Sequence, residues 1–240
     1  MRVAVVTGAS SGIGAAVCRA LRGQGWHVVG LSRSPAEDAD EHEACDVADR
    51  ASVEAAAARV LERHPELGLL VNNAGIPARG GFLDTDPERI EAVIDTNYLG
   101  SVWIVRAFLA GLGQGTKVVN VVSVAGTVAD GPYSASKHAQ IAFSRSIGME
   151  LAPRGATVLT VNPGFIETPG FPQRTKLPFP LRKLDVDPPF VAERILDAIA
   201  KDRSEIFVPR WYRPFAWLQA LFPGAIARAR ARRNRSAKSR

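Results

Sequence analysis

The first fourteen residues contain the feature that most constrains the fold, a strand, a glycine-rich turn and a helix start in direct succession. Residues 2–6 are mostly apolar and β-branched, which is typical of a strand buried on both faces. The segment Thr7-Gly8-Ala9-Ser10-Ser11-Gly12-Ile13-Gly14 follows, and a helical pattern begins within it. Glycines at this spacing let the backbone approach a phosphate closely, and a helix N-terminus favours negative charge. The pattern therefore predicts a dinucleotide-binding turn at the start of an α/β fold.

Strand-like and helical segments alternate through the rest of the chain as far as residue 208. The pattern predicts strands at residues 3–7, 27–31, 69–72, 117–122, 157–161 and 205–208, and a further strand ending near Cys45. It predicts helices at about residues 12–23, 49–64, 86–112, 133–152 and 188–201. Such alternation favours one α/β domain over residues 1–208, a doubly wound parallel sheet with helices on both faces. Residues 209–240 are predicted to form a C-terminal extension.

A tyrosine and a lysine stand four residues apart in the fourth predicted helix, at Tyr133 and Lys137. Residues at this spacing project from the same face of a helix. A neighbouring ammonium is expected to lower the pKa of the phenol toward neutrality, which suits it to exchange a proton at working pH. The same spacing is common on solvated helix surfaces, so its weight depends on the other motifs.

Five motifs in this order resemble those of the short-chain dehydrogenase/reductase family in its single-domain form. They are the glycine motif above, Asn72-Asn73-Ala74-Gly75, Asn97, the set Ser123, Tyr133 and Lys137, and Pro163-Gly164-Phe165-Ile166-Glu167-Thr168. The resemblance covers about residues 1–208 and implies a Rossmann-like sheet. It also implies an enzyme that interconverts an alcohol and a ketone or aldehyde.

The resemblance implies a role for each member of the catalytic set. Tyr133 would be the general acid for reduction and the general base for oxidation. Lys137 would lower the pKa of Tyr133 and bind the nicotinamide ribose. Ser123, just after a buried strand, would hold the substrate oxygen and stabilise charge that develops there. Asn97 would sit at a helix kink and hold a water that relays protons to Lys137.

The end of the second strand carries the information on cofactor choice. NAD-binding proteins of this fold usually place an acid there, whereas this chain has Ser32 and Arg33, and Arg33 can pair with a 2′-phosphate. We therefore expect NADP rather than NAD, although Ser11 stands where many NADP-binding relatives have a basic residue. The resemblance implies that Asp46 and Val47 contact the adenine, that Pro163 and Gly164 shape the nicotinamide pocket, and that Thr168 holds the carboxamide. The complete predicted cofactor-binding set is Gly8, Ser10, Ser11, Gly12, Ile13, Gly14, Ser32, Arg33, Asp46, Val47, Asn73, Ala74, Gly75, Tyr133, Lys137, Pro163, Gly164, Ile166 and Thr168.

Composition and the remaining motifs exclude several other classes of protein. The two cysteines, Cys18 and Cys45, cannot form a disulfide framework, and no His stands at ligand spacing from a Cys or an acid, so we predict no metal. Gly-x-Ser-x-Gly is absent, which argues against an esterase. No secretory signal and no run of 18 apolar residues is visible, so we expect a cytoplasmic protein.

The C-terminal extension has its own composition. The chain has a net charge of +6, but nine of its Lys and Arg residues lie in residues 210–240, which contain no acid. The high pI therefore describes the extension, and a nucleic-acid partner is not expected. Aromatic residues and leucines cluster at 207–222, ahead of a basic run. One hypothesis places this segment peripherally on the anionic inner face of a membrane, where it would bring the site to a lipophilic substrate. The alternative packs the aromatics on the body or a partner subunit, with a disordered end.

Two other functions remain open alongside a dehydrogenase or reductase of a lipophilic alcohol or carbonyl. One is a non-catalytic NADP-binding sensor on the same fold, which the complete catalytic set argues against. The other is a 3-oxoacyl thioester reductase, whose relatives usually end soon after the last strand. Residues 76–85 and 168–189 are expected to set substrate specificity. The resemblance also implies a homo-oligomer formed through the helices near 86–112 and 133–152.

Overall fold

The computed structural model describes residues 2–166 and 186–228 of the chain. Thr168, most of the predicted specificity segment 168–189 and the last part of the basic run lie outside the described residues.

Seven strands form one parallel sheet in the described part of the chain. The strands are β1 Val3–Thr7, β2 His27–Ser32, β3 Glu41–Ala44, β4 Leu69–Asn72, β5 Lys117–Val121, β6 Thr157–Pro163 and β7 Glu205–Val208. Their order across the sheet is β3-β2-β1-β4-β5-β6-β7. The chain starts in the middle, winds to one edge, and then returns to wind to the other. The predicted doubly wound parallel sheet is therefore confirmed.

Residues 223–228 are helical in the described part of the chain, as are seven complete α-helices that accompany the sheet. They are α1 Gly12–Gly23, α2 Arg50–Arg63, α3 Pro87–Ile94, α4 Gly100–Ala107, α5 Gly131–Leu151, α6 Pro188–Ala200 and α7 Tyr212–Leu221. The single helix predicted at 86–112 is in fact two helices, α3 and α4, joined by one π-helical turn at Asp95–Leu99. Helix α7 lies in the C-terminal extension, for which no helix was predicted.

Two apolar layers hold the helices on the sheet. Helices α1 and α6 cover one face, with Leu21 and Ile195 in its core. Helices α2, α4 and α5 cover the other face, whose core includes Ile104 and Phe108. Each of these four side chains is at most 1% exposed, and burying one such side chain stabilises a fold by about 1.5–3 kcal/mol.

Strand β3 is polar and lies at the edge of the sheet, which explains why its sequence gives a weak strand signal. Glu41 accepts hydrogen bonds from His27 at 2.6 Å, from His64 at 2.8 Å and from Arg63 at 3.1 Å. Burial alone would raise the pKa of Glu41, but these hydrogen bonds outweigh it and lower the pKa to about 2. Charged contacts to β2 and α2 thus replace the apolar contacts that a central strand would make.

Candidate active site

A cleft of about 1290 Å³ opens at the carboxyl edge of the sheet, where this architecture places ligands. It is lined by Gly8, residues 10–13, 31–34, 45–48, 73–79 and 121–125, Tyr133, Lys137, residues 163–166, and Trp211, Tyr212 and Phe215. Every described residue that the sequence analysis assigned to catalysis or cofactor binding lines this cleft, except two. Gly14 and Asn97 are the exceptions, and Thr168 lies outside the described residues.

The glycine-rich turn joins β1 to α1 and aims the N-terminus of α1 into the cleft. Gly8 and Gly12 have φ angles of +65° and +58°, a backbone region that favours glycine. A Cβ atom on Gly14 would lie 2.2 Å from the Gly8 carbonyl oxygen. Gly14 therefore permits close packing of α1 on the turn. It does not line the cleft, and its place in the cofactor-binding set stays a prediction.

The loop after β4 is tied to the glycine-rich turn by hydrogen bonds. The Thr7 hydroxyl accepts from the backbone N–H groups of Asn73 and Ala74 at 2.9 and 3.0 Å. The Asn73 side-chain amide donates to the Thr7 carbonyl oxygen at 3.0 Å. Asn73 therefore holds two walls of the cleft together, and its amide is engaged with the protein itself.

The far end of the cleft contains the residues expected to choose the cofactor. The Arg33 guanidinium lies 3.8 Å from an Asp46 carboxylate oxygen, and both side chains are exposed. Asp46 also accepts from the Ala48 N–H at 3.0 Å. No acid was predicted beside Arg33, but the fold brings Asp46 there from the β3–α2 loop. A pair this exposed is weak, so Arg33 remains accessible to a phosphate.

Ser123, Tyr133 and Lys137 meet in the middle of the cleft. Ser123 follows β5, and its hydroxyl accepts from the Ala125 N–H at 3.0 Å and also shares a hydrogen bond with Tyr133. The Lys137 Nζ atom lies 6.0 Å from the centre of the Tyr133 ring. The end of β5 and the first turns of α5 thus bring a serine hydroxyl, a phenol and an ammonium together.

The pKa values of Tyr133 and Lys137 differ from the expectation. Burial raises the pKa of Tyr133 to about 12, an effect that the Ser123 hydrogen bond partly offsets. Burial also lowers the pKa of Lys137 to about 7. The predicted lowering of the Tyr133 pKa by Lys137 is therefore wrong for the chain alone, because the same low-dielectric surroundings disfavour both charges. At neutral pH, Tyr133 carries its proton.

Lys137 is held by a buried polar chain that the sequence analysis missed. Its Nζ atom donates to the Gln140 side-chain oxygen at 2.8 Å and to the Val121 carbonyl at 3.3 Å. The Gln140 amide donates in turn to the Ser101 hydroxyl at 2.8 Å, and Ser101 donates to the Asn97 carbonyl at 3.2 Å. Gln140 is fully buried. The available signal was a polar residue three positions after Lys137, on the face of α5 that must contact the sheet.

Asn97 lies in the π-helical turn between α3 and α4, at the position where a kink was predicted. Its side-chain oxygen accepts from the Ile76 N–H at 2.8 Å, and its amide donates to the Ile76 carbonyl at 3.1 Å and to the Ser136 hydroxyl at 3.0 Å. The side chain therefore fixes the Gly75–Ile76 backbone beside Lys137. A water relay through Asn97 stays a prediction, and its backbone carbonyl is already bonded to Ser101.

Three aromatic residues of the C-terminal extension also line the cleft, and no motif predicted this. Trp211 and Tyr212 stack with ring centroids 3.8 Å apart, and Phe215 meets Trp211 edge-on at 6.1 Å. A Cβ atom on Gly164 would lie 2.1 Å from the Tyr212 ring. Burial raises the pKa of Tyr212, and the nearby Phe165 backbone partly offsets this. Part of the extension is thus a wall of the cleft.

Two groups of potentially reactive side chains lie outside the catalytic centre. His27, Glu41 and His64 offer ligand atoms within 4.8 Å of one another, a cluster that sequence spacing had not indicated. Arg63 already contacts the same carboxylate, and the ion pairs described above account for the arrangement. Burial raises the pKa of Cys18 to about 12 and that of Cys45 to about 11, so both thiols are poor nucleophiles.

Among the described residues, no helix has both the length and the apolar character needed to cross a bilayer.

Comparisons with known proteins agree with this fold and cleft. The family model for short chain dehydrogenases matches residues 2–176. A Streptomyces virginiae protein named as a ketoacyl reductase of the monensin polyketide synthase is 40% identical over 188 residues, which cover 70% of this chain and 72% of that protein.

Two solved structures add information on cofactors. A variant of the actinorhodin polyketide ketoreductase, solved with NADPH, has a TM-score of 0.74 and 31% identity, covering 85% of this chain and 94% of its own. A short chain dehydrogenase/reductase from Burkholderia phymatum, solved with NAD, has a TM-score of 0.81 and 25% identity, covering 92% and 93%. Proteins similar to this chain thus include both an NADPH complex and an NAD complex.

Proposed function

This chain belongs to the short-chain dehydrogenase family of oxidoreductases, and we propose that it uses NADP(H) to interconvert an alcohol and a ketone or aldehyde. The observation that carries the proposal is the meeting of Ser123, Tyr133 and Lys137 in a cleft of about 1290 Å³. Protonated hydroxyls beside a cleft of that size suit a carbonyl substrate held next to a dinucleotide.

The residues of the cleft fit a dinucleotide. The end of the glycine-rich turn and the N-terminus of α1, which begins at Gly12, present backbone N–H groups where a pyrophosphate would bind. Arg33 and Asp46 would contact the adenosine end, and Lys137 the nicotinamide ribose. NADPH held there would supply a hydride to the carbonyl carbon and would leave as NADP⁺.

The protein supplies the proton and holds the substrate. The hydroxyls of Ser123 and Tyr133 share a hydrogen bond, so one carbonyl oxygen can accept from both. Because the pKa of Tyr133 is raised to about 12, the phenol is protonated at neutral pH and is ready to donate to the developing alkoxide. Reduction should therefore be favoured near neutrality, and oxidation should accelerate as the pH rises.

A ketone panel tests the proposal directly. Purified protein with NADPH should consume the cofactor, measured as loss of absorbance, with at least one ketone among small, aromatic and polycyclic compounds. Absence of turnover across the panel, together with tight NADPH binding, would favour the non-catalytic sensor instead.

A 3-oxoacyl thioester reductase is the second candidate, favoured by the ketoacyl reductase similarity. Acetoacetyl-CoA belongs in the same panel for this reason. If its kcat/KM exceeds that of every simple ketone by a wide margin, a thioester substrate replaces the lipophilic one in the proposal.

Cofactor choice gives a first prediction. Arg33→Ala should weaken NADPH binding by about 1–3 kcal/mol, the value of a hydrogen bond to a charged group, and should leave NADH binding nearly unchanged. Fluorescence titration with both cofactors measures this. Arg89→Ala, which removes another guanidinium lining the cleft, is the control for general loss of positive charge. Equal losses for NADPH and NADH in Arg33→Ala, or a wild-type preference for NADH, would show that Arg33 does not read the 2′-phosphate.

Gln140 gives a second prediction, because it stabilises the charged form of Lys137. Burial already lowers the pKa of Lys137 to about 7, and Gln140→Leu removes an acceptor from its ammonium. The loss of this acceptor should lower the pKa of Lys137 further. Because Lys137 is charged below its pKa and neutral above it, the alkaline limit of kcat for ketone reduction should move to lower pH. Gln140→Glu places a negative charge there and should move the limit to higher pH. Uniform losses of activity without a displaced limit would indicate a purely structural residue.

Membrane association of the extension is a third prediction. Leu218, Leu221 and Phe222 lie at the outer face and the end of α7, with exposures of 50%, 72% and 56%. Arg213 and Arg228 flank these residues in the sequence, which continues into the basic run. We propose that this outer face lies on an anionic bilayer, to which each nearby basic residue adds about 1 kcal/mol.

Vesicle co-sedimentation measures this association. The full chain should pellet with anionic liposomes, release at high salt and ignore neutral ones. A Leu218→Glu/Leu221→Glu variant should remain in the supernatant, whereas Phe190→Glu, at an exposed apolar site on α6, should behave like wild type. If all three proteins co-sediment with anionic liposomes to the same extent, the outer face of α7 does not bind the membrane.

A homo-oligomer remains part of the proposal. We place its contacts on α4 and α5, within the segments predicted from the resemblance. Light scattering measures the mass of the purified protein in solution. A monomeric mass at micromolar concentration would contradict the proposed homo-oligomer.

A further inference from the structure

The topology of the sheet explains why the extension reaches the active site. Strand β7 pairs in parallel with β6, with Val208 opposite Pro163, so both strands end at the same edge. The Gly164 N–H donates to the Val208 carbonyl at 2.8 Å. Because parallel strands carry their ligands beyond their carboxyl ends, whatever follows β7 must begin beside Gly164.

Tyr212 makes the closest contact between the extension and the site. Its ring lies against the Gly164 backbone so closely that a Cβ atom there would be 2.1 Å away, and it meets Phe165 edge-on at 6.4 Å. Helix α7 also packs against the turn at Val124–Thr127, directly after Ser123. Gly164 and Phe165 therefore fix the position of the Tyr212 ring, and the Val124–Thr127 turn supports the helix that carries it.

Trp211 and Phe215 extend this aromatic surface toward the mouth of the cleft. Trp211 stacks on Tyr212, and Phe215 packs edge-on against Trp211. Trp211 is 40% exposed and Phe215 is 61% exposed, and both line the cleft that contains Tyr133. Two large rings that are anchored at one end and open to the cleft offer flat apolar contact area where a substrate would enter.

We propose that Trp211, Tyr212 and Phe215 form a substrate-selecting aromatic wall, which favours carbonyl compounds with a flat, apolar ring body over small aliphatic ones. The inference rests on the proposed function and names its substrate class. Aromatic rings prefer stacked or edge-to-face partners, so a ring body gains contact with the wall while a short alkyl chain gains little. The carbonyl group itself stays with Ser123 and Tyr133.

Paired substrates and matched variants test the wall. 2-Tetralone carries a ketone on a bicyclic body, and 2-butanone carries the same group without rings. In Trp211→Ala, kcat/KM for 2-tetralone should fall by about tenfold or more, as for other lost apolar pocket contacts, while that for 2-butanone stays within about twofold. Phe215→Ala should show the same selective loss to a smaller extent.

A control on the same helix separates the wall from general damage to α7. Trp217→Ala removes a tryptophan that does not line the cleft, and it should keep the wild-type preference. Equal losses on both ketones in Trp211→Ala, or a selective loss in Trp217→Ala, would overturn the proposal.

A binding measurement distinguishes failure of the wall from failure of the proposed function. Ligand-observed NMR with the NADP⁺-saturated protein should show 2-tetralone binding that Trp211→Ala weakens and Trp217→Ala does not. If wild type binds 2-tetralone in this selective way but reduces no ketone, the wall stands and the reductase proposal fails. If ketones are reduced without such selectivity, the reductase stands and the wall fails.

Discussion

Tyr133→Phe should lower kcat for the best ketone by about 10²–10⁴-fold, the usual contribution of a general acid. The substitution keeps the ring and its packing and removes only the proton that the substrate oxygen must receive. Ser123 stays in place because its hydroxyl still accepts from the Ala125 N–H at 3.0 Å, but an aliphatic hydroxyl cannot supply a replacement proton of comparable acidity. Steady-state rates with saturating NADPH, across pH 6–9, measure the loss.

NADPH affinity separates this effect from damage to the cleft. It should change little in Tyr133→Phe, whereas Lys137→Met should lower both the rate and the affinity, because Lys137 is assigned to the ribose as well. A Tyr133→Phe protein with near-normal turnover would remove the tyrosine from the chemistry. An equal fall in NADPH affinity would show that its hydroxyl is needed for the cofactor site.

The parts predictable from sequence are those whose signal is local. The apolar runs of β1 and β5 and the glycines of the first turn reflect burial and backbone geometry at single positions, so the sheet was predicted correctly. The π-helical turn at Asp95–Leu99 was anticipated only as a kink, through the resemblance. Its cause is partly tertiary, since Asn97 is held there by Ile76, 21 positions earlier.

The missed features depend on contacts between distant segments. Asp46 approaches Arg33 because β3 lies beside β2. Gln140 is placed by two buried hydrogen bonds, one from Lys137 and one to Ser101 on α4. Desolvation of Tyr133 also reversed the pKa shift expected from a nearby lysine, and burial of this kind cannot be inferred from spacing. In the sequence, the aromatic residues near 211 have the character of a surface segment. In the structure, the pairing of β7 with β6 places them at the cleft.

Gly14→Ala should both destabilise the protein and weaken NADPH binding, although residue 14 does not line the cleft. A methyl group there would lie 2.2 Å from the Gly8 carbonyl oxygen and 2.6 Å from the Asn73 amide nitrogen. Neither neighbour can yield freely, because Gly8 belongs to the turn and Asn73 holds the Thr7 carbonyl. Overpacking of this kind costs about 1–3 kcal/mol, which for a chain of this size lowers Tm by roughly 2–12 °C.

The same helix offers a control of opposite sign. A Cβ atom on Gly23 would meet no atom of the described residues within 4 Å, so Gly23→Ala should leave Tm unchanged or raise it slightly, as expected for alanine replacing glycine in a helix. NADPH titration should show a loss of about tenfold or more for Gly14→Ala, from displaced N–H groups at the start of α1, and none for Gly23→Ala. A Gly14→Ala protein that melts normally and binds NADPH normally would mean that α1 can move away from the turn at little cost. The close packing of α1 would then not be what shapes the pyrophosphate site.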